Sequence, residues 1–282
     1  MIGDSLRDIG AAHNAGIPGY GVRTGYGCRD REAVVGSIAH AARPDLMFDH
    51  VAEATFFALH YQEIAGPVVE AIEPLVTSVS ERPVVISVSG RSRVGKSVLA
   101  HALARVFSAA GRSTLVVPLD YWSKPLSDRK QTETVEERNQ VKLYQGVLSC
   151  LKNFGTLITP GYDAGIREAA VGSTLDASNK QFIIADGVLA GHPNVHDLVD
   201  CAIHVIADEE LQHARFISFY RWKGLDNESI AALWQMRRQY EWPVVDAQKA
   251  TSDVVVTEPS VVPAISDKTG VYRNRIREFG EA

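Results

Sequence analysis

Eight consecutive residues, Gly90-Arg91-Ser92-Arg93-Val94-Gly95-Lys96-Ser97, most constrain what this chain can fold into. They match the pattern G-x-x-x-x-G-K-[ST] in full. PVVISVS (83–89) stands directly before them, a short apolar run rich in β-branched residues, as a buried parallel strand is. SVLAHALARVF (97–107) overlaps their end, with Val98, Leu99, Ala102, Leu103 and Val106 at helical spacing. Strand, glycine-rich turn and helix together wrap backbone N–H groups around phosphate oxygens and add the positive potential of a helix N-terminus. In such a loop Lys96 reaches the terminal phosphates of ATP and the Ser97 hydroxyl ligates Mg²⁺. Arg91, Ser92, Arg93, Val94 and Val98 complete the candidate nucleotide cradle with Gly90, Gly95, Lys96 and Ser97. The bland alternative is a glycine-rich turn that matches by accident.

Strand and helix patterns alternate after this loop. STLVVPL (113–119), FIIA (182–185), AIHVIA (202–207) and DVVVT (253–257) read as further buried strands. VEERNQVKLYQGVLSCLKNF and DEELQHARFISFYRWKG read as helical stretches between them. The pattern predicts an α/β P-loop NTPase with a five-stranded, mostly parallel sheet flanked by helices. Ligands then belong at the carboxyl ends of the strands. Two acids close strands there. Asp120 follows the strand after the loop helix, placed to accept a proton from an attacking hydroxyl. Asp186 closes FIIA, placed to support Mg²⁺ with Ser97. Each acid could instead be a helix cap or a loop carboxylate. GTPases, ATPases and kinases all share the loop, so the loop alone does not choose among them.

Composition narrows the classes. With 29 Lys and Arg against 34 Asp and Glu, the formal net charge of −5 argues against a nucleic-acid binder. At 45% hydrophobic and 22% charged residues the chain can bury a proper core. Cys28, Cys150 and Cys201 form no metal-binding spacing, which suits a reducing compartment. No apolar run is long enough to span a membrane, and MIGDSLRD is no secretory signal. The expectation is a cytoplasmic protein, compatible with a homo-oligomer, whose partners are ATP and a small hydroxyl acceptor, with no nucleic acid and no membrane.

Residues 83–257 resemble the uridine kinase/phosphoribulokinase-like group of P-loop kinases. GRSRVGKS stands first, and LDYW stands where that group has an acid followed by aromatics. ITPGYDAGIRE (158–168) is similar to its proline–x–tyrosine–aspartate segment with a following arginine, and ADGVLA to its glutamate–glycine element. HARFISFYRWKG (213–224) resembles its arginine-bearing lid, and YEWPVVDAQKATSDVVV (240–256) the run into its last core strand. The resemblance implies phosphoryl transfer from ATP to a hydroxyl. Asp120 would be the base, with Tyr121 beside it, and Tyr162, Asp163 and Arg167 would hold the acceptor. Arg215, Arg221 and Lys223 would close over the phosphates. Asp186 replaces the more usual glutamate, and residues 123–139 do not match the nucleoside-contacting segment of uridine kinases. The acceptor therefore stays open among nucleoside, sugar and sugar phosphate. Arg129 and Arg138 read either as contacts to an acceptor phosphate or as exposed ion-pair partners. The alternative function is a nucleotide-binding module without transfer; a GTPase-like switch lacks a guanine-reading N-K-x-D motif here.

IGDSLRDIGAAHNAGIPGYGVRTGYG near the start resembles the last motif of haloacid dehalogenase-type phosphatases. That resemblance implies that Asp4 and Asp8 match its Mg²⁺-holding aspartates. The D-x-D nucleophile motif of that family occurs nowhere in the chain, so no phosphatase activity is expected. The start reads as an internal methionine of a longer frame or as a truncation. The expected layout is a truncated phosphatase-like fragment over 1–60, a helical connector over 61–82 and the kinase domain over 83–282. In the fragment two strands are expected, with Ile9, Ile17, Val22, Val34, Val35 and Ile38 on its apolar side. Pro74 is expected to kink or split the connector.

Overall fold

A computed structural model describes residues 1–25, 44–77, 82–130, 133–160 and 172–257, and the backbone of 162–163 and 168–169. The front of the chain runs β1 (Ile2–Gly3), α1 (Leu6–Asn14), β2 (Tyr20–Val22), β3 (Leu46–Phe48) and α2 (Val51–Val76). The three strands pair parallel in the order β1-β2-β3, one more strand than the pattern predicts. A two-residue strand such as Ile2–Gly3 carries no periodicity to read. Ile9 and Val22 are buried as expected but Ile17 is exposed; Val34, Val35 and Ile38 lie outside the described residues.

The long helix α2 passes through Pro67 and Pro74. Its backbone leaves helical dihedrals at His60 (φ −117°, ψ 19°), not at Pro74. A proline forfeits one hydrogen bond, and burial of Val68, Ile72 and Val76 outweighs that loss.

Next come β4 (Val84–Gly90), α3 (Lys96–Ala109) and β5 (Thr114–Pro118). The stretch read as one helix over 135–154 is two, α4 (Val135–Arg138) and α5 (Tyr144–Lys152). Between them Gln140 is left-handed (φ 49°), and its Nε2 donates to Trp122 O at 2.6 Å. The side-chain bond and the turn it fixes interrupt the helical pattern. Short strands β6 (Thr156–Ile158), β7 (Tyr162–Asp163), β8 (Glu168–Ala169) and β9 (Thr174–Asp176) form two antiparallel pairs, β6 with β9 and β7 with β8. The chain then runs β10 (Phe182–Asp186), β11 (Cys201–Ile206), α6 (Glu209–Trp222), α7 (Asn227–Tyr240), α8 (Trp242–Ala247) and β12 (Val254–Thr257).

The main sheet is parallel throughout, in the order β12-β11-β4-β10-β5. All seven residues of β4, at its centre, are buried, as a parallel strand covered on both faces requires. Val85, Val117, Ile183, Tyr144 and Leu148 fill one side. On the other side Ile86, Ile184 and Ile203 join Leu99, Leu103 and Phe107 of α3. Tyr20, Phe48 and Phe57 of the front segment belong to that same cluster. Their rings meet at centroid distances of 5.3 to 6.1 Å. Arg105 on α3 donates to Tyr20 Oη at 3.1 Å, and Arg112 forks onto Glu73 of α2 at 2.6 and 3.1 Å. Among the described residues no helix is long and apolar enough to cross a membrane.

Candidate active site

Register alone brings the loop and both acids to one edge. Asp186 pairs with Val88 of β4 on one side and with Pro118 of β5 on the other. The phosphate loop therefore starts beside Asp186, and Asp120 lies two residues past Pro118 in the 3₁₀ turn Leu119–Trp122.

The loop needs its glycines where it has them. Gly90 sits at φ 137°, and a Cβ there would come within 2.3 Å of Val205 O. Gly95 caps α3 at φ 96°, with no side-chain hydrogen bond to the helix start. The first N–H groups of α3 are thus left for an anion. Arg93 is left-handed as well (φ 68°), and its guanidinium carbon lies 3.4 Å from the Phe219 ring centre on α6. Burial and the neighbouring Arg23 charge push the Arg93 pKa down to about 10. Lys96 is buried, and its Nζ donates to Arg91 O at 2.9 Å. Burial pushes its pKa down, against the pull of Asp186 and Asp120. Arg91 itself forks onto Asp246 at 2.8 and 2.5 Å and stacks 3.9 Å from the Trp242 ring centre. That clamp ties the loop to α8.

Asp186 is buried beside Lys96 and Ser97. Burial lifts its pKa to about 6, while the Lys96 charge and a hydrogen bond from Ser97 hold it back. Its Oδ1 is buried with no hydrogen-bond partner. A buried carboxylate oxygen without a partner costs free energy unless something cationic meets it. Ser97 and Asp186 are thus a fitting oxygen pair for Mg²⁺. Asp120, by contrast, is exposed at the mouth of the site.

The remaining expected residues divide. The backbone of β7, with Tyr162 and Asp163, lies beside the turn that carries Asp120. Arg167 lies outside the described residues. Tyr121 is half-buried next to Asp120, and Trp122 is in the core. Helix α6 sits on the phosphate loop, since Gln212 Nε2 donates to Ser92 O at 2.8 Å. Of its cations, Arg215 is half-buried, Lys223 Nζ lies 4.3 Å from the Phe219 ring centre, and exposed Arg221 donates to Asn227 Oδ1 at 3.0 and 3.2 Å. Arg129 donates to Lys124 O at 2.8 Å. Arg138 is an ion-pair partner but not an exposed one: only 15% of its side chain is accessible, and it lies 3.6 Å from buried Glu241.

Sequence reasoning missed Arg237, Glu241 and Arg23. Arg237 pairs with Glu241 at 3.7 Å and donates to Tyr220 Oη at 2.7 Å. Their i, i+4 spacing was a visible signal. Arg23 had none, because nothing local says that its strand faces α6. In the front segment the Asp8 carboxylate is held in a capping box, accepting from Ser5 Oγ at 2.8 Å and Ser5 N at 3.2 Å. Among the described residues no cluster of three or more His, Cys, Asp or Glu side chains could hold a metal.

The profile of the phosphoribulokinase/uridine kinase family matches residues 85–263, and a HAD-hydrolase-like profile matches residues 1–54. The chain is similar to a uridine kinase of Latilactobacillus sakei, 26% identical over 197 residues that cover 65% of this chain and 89% of that protein. A uridine kinase of Leuconostoc citreum is 24% identical over 190 residues, covering 63% and 88%. The solved structure of a putative fructose transport system kinase from a Silicibacter species superposes with a TM-score of 0.56 at 20% identity, covering 67% of this chain and 97% of that one. At that identity the superposition speaks for the fold alone.

Proposed function

The chain belongs to the phosphoribulokinase/uridine kinase family of ATP-dependent small-molecule kinases, and on that premise we propose that it transfers the γ-phosphoryl group to an acceptor hydroxyl with Asp120 as general base. One observation carries the reading. Lys96, Ser97, Asp186 and Asp120 meet at the carboxyl edge of the sheet, with Asp186 and Asp120 both acting electrostatically on Lys96.

The roles follow from the surroundings. Lys96 exchanges the Arg91 carbonyl for phosphate oxygens when nucleotide enters. The loop amides and the α3 N-terminus take the remaining phosphate charge. Ser97 and Asp186 would hold Mg²⁺, which when bound neutralises charge on the transferring group. Asp120, in solvent at the mouth, takes the proton of the acceptor hydroxyl. Tyr121, and Tyr162 and Asp163 on the strand beside that turn, serve the acceptor, as does Arg167 on the strength of the family resemblance alone. Arg215, Arg221 and Lys223 are the lid cations; Arg221 leaves Asn227 to join them. The acceptor is a nucleoside, a sugar or a sugar phosphate, and the compartment is the cytoplasm, where ATP is at hand.

The test is acceptor-dependent ADP release across nucleosides, sugars and sugar phosphates, with Lys96→Ala as the control. Turnover with one acceptor class, lost in Lys96→Ala, is the expected result. ATP binding without turnover on any acceptor would instead favour a nucleotide-binding module without transfer.

A further inference from the structure

The front segment reaches the phosphate site through two side chains. Arg23 follows β2 and Asp49 follows β3, at the carboxyl edge of the small sheet. The Arg23 N–H donates to Phe48 O at 3.0 Å, which ties the two strand ends together. The Arg23 guanidinium pairs with Asp49 Oδ1 and is only 12% exposed. The second oxygen of Asp49, Oδ2, accepts from Ser218 Oγ of α6 at 3.2 Å. The guanidinium carbon of Arg23 lies 5.2 Å from the Phe219 ring centre and 5.1 Å from that of Trp222.

Phe219 is the ring that Arg93 of the phosphate loop also meets, at 3.4 Å. One aromatic side chain of the lid helix is thus shared by a cation of the front segment and a cation of the loop. Because Arg23 is largely desolvated, its guanidinium gains from the faces of both rings what an exposed ion pair would lose to solvent. The arrangement is also selective. It fixes the end of α6 that carries Arg221 and Lys223, while Gln212 fixes the other end on Ser92.

We propose that Arg23 and Asp49 form a latch that seats α6 on the phosphate loop, which makes Arg23 a positioning residue for phosphoryl transfer. The inference rests on the kinase reading above. It assigns the phosphatase-like segment a part in the kinase site and needs no chemistry of its own from that segment.

The experiment compares the full-length chain with Arg23→Ala, Arg23→Lys and Asp49→Asn. It measures the melting temperature, the kinetics with the best acceptor, and amide exchange across 209–222 with and without ATP. In Arg23→Ala and Asp49→Asn, exchange across 209–222 rises, kcat falls roughly tenfold, and KM for the acceptor stays within about twofold. Arg23→Lys, which keeps the charge, recovers most of kcat at an unchanged melting temperature. Wild-type kcat and exchange in Arg23→Ala would overturn the latch. Should Arg23→Ala fail to fold, normal kcat and exchange in Asp49→Asn overturn it equally. Should the wild-type chain turn over no acceptor, the kinase reading fails, and exchange across 209–222 alone decides the latch: no rise in either variant overturns it.

Discussion

Arg82 and Asp200 stand 118 residues apart in sequence and form a two-pronged ion pair, with Nη1–Oδ2 at 2.8 Å and Nη2–Oδ1 at 2.7 Å. The same carboxylate accepts from Val85 N at 2.9 Å and from Lys152 Nζ at 3.2 Å. Three elements, the starts of β4 and β11 and the end of α5, thereby meet on one side chain. Burial pushes the Asp200 pKa up, but the bonds from Arg82, Val85 and Lys152 together hold it below the usual carboxylate range.

Asp200→Asn should therefore destabilise the fold. An amide keeps the shape but cannot balance two cations, one of them largely buried. The expected loss is about 2–4 kcal/mol, measured by urea unfolding at pH 7. A loss within about 0.5 kcal/mol would mean that the network is not holding the sheet edge.

Asp120→Asn separates binding from chemistry. Asp120 is exposed and lies outside the glycine loop, so ATP affinity should stay near wild type. Turnover should fall by roughly 10²-fold or more, because an amide cannot accept the hydroxyl proton. Calorimetry and acceptor-dependent ADP release read the two quantities. Equal turnover would remove Asp120 from the mechanism.

Acid should weaken the fold through His204. The ring is buried, with Nδ1 3.0 Å from Ser89 Oγ, and burial pushes its pKa from 6.5 down to about 4, against the pull of Asp246. Below about pH 6.5 the unfolded chain takes up a proton that the folded chain refuses. This contribution is complete above pH 6.5 and is lost as pH falls toward 4, by at most about 3 kcal/mol. Urea unfolding at pH 7 and pH 4.5 should show a smaller drop for His204→Gln than for wild type. Equal drops would assign the acid sensitivity elsewhere.

Removing residues 1–60 should harm both folding and transfer, because the front segment shares the core of the kinase part. The cut takes away Tyr20, Val22, Leu46, Phe48 and Phe57, which pack in one cluster with Leu99, Leu103 and Phe107. It also removes Arg23 and Asp49. The truncated chain should be insoluble, or should melt more than about 5 °C below the full chain with reduced turnover. A soluble fragment with an unchanged melting temperature and full kcat would show that the front segment contributes neither packing nor latch.

Local chemistry was enough for much of the site. The turn at 90–97 was legible because the positive φ of Gly90 and Gly95 and the close backbone approach at Gly90 are demands written in adjacent residues. The three central strands were legible because a parallel strand covered on both faces must be apolar along its whole length, whereas β5 and β12, expected to be buried as well, lie at the sheet edges and are only partly covered. The acids Asp120 and Asp186 were legible because strand ends are marked by the residues that follow an apolar run. Tertiary structure alone decided the rest. The helix through Pro67 and Pro74 stays continuous there because its buried face outweighs two missing donors. The break at Gln140 depends on a side-chain bond to Trp122. The place of Arg23 against α6 depends on three strands, a helix and a distant aromatic ring. Periodicity reports which face of an element is apolar, but not which other element will cover it. That choice is made by packing between parts of the chain far apart in sequence, and here it joined a phosphatase-like segment to the phosphate loop of a kinase.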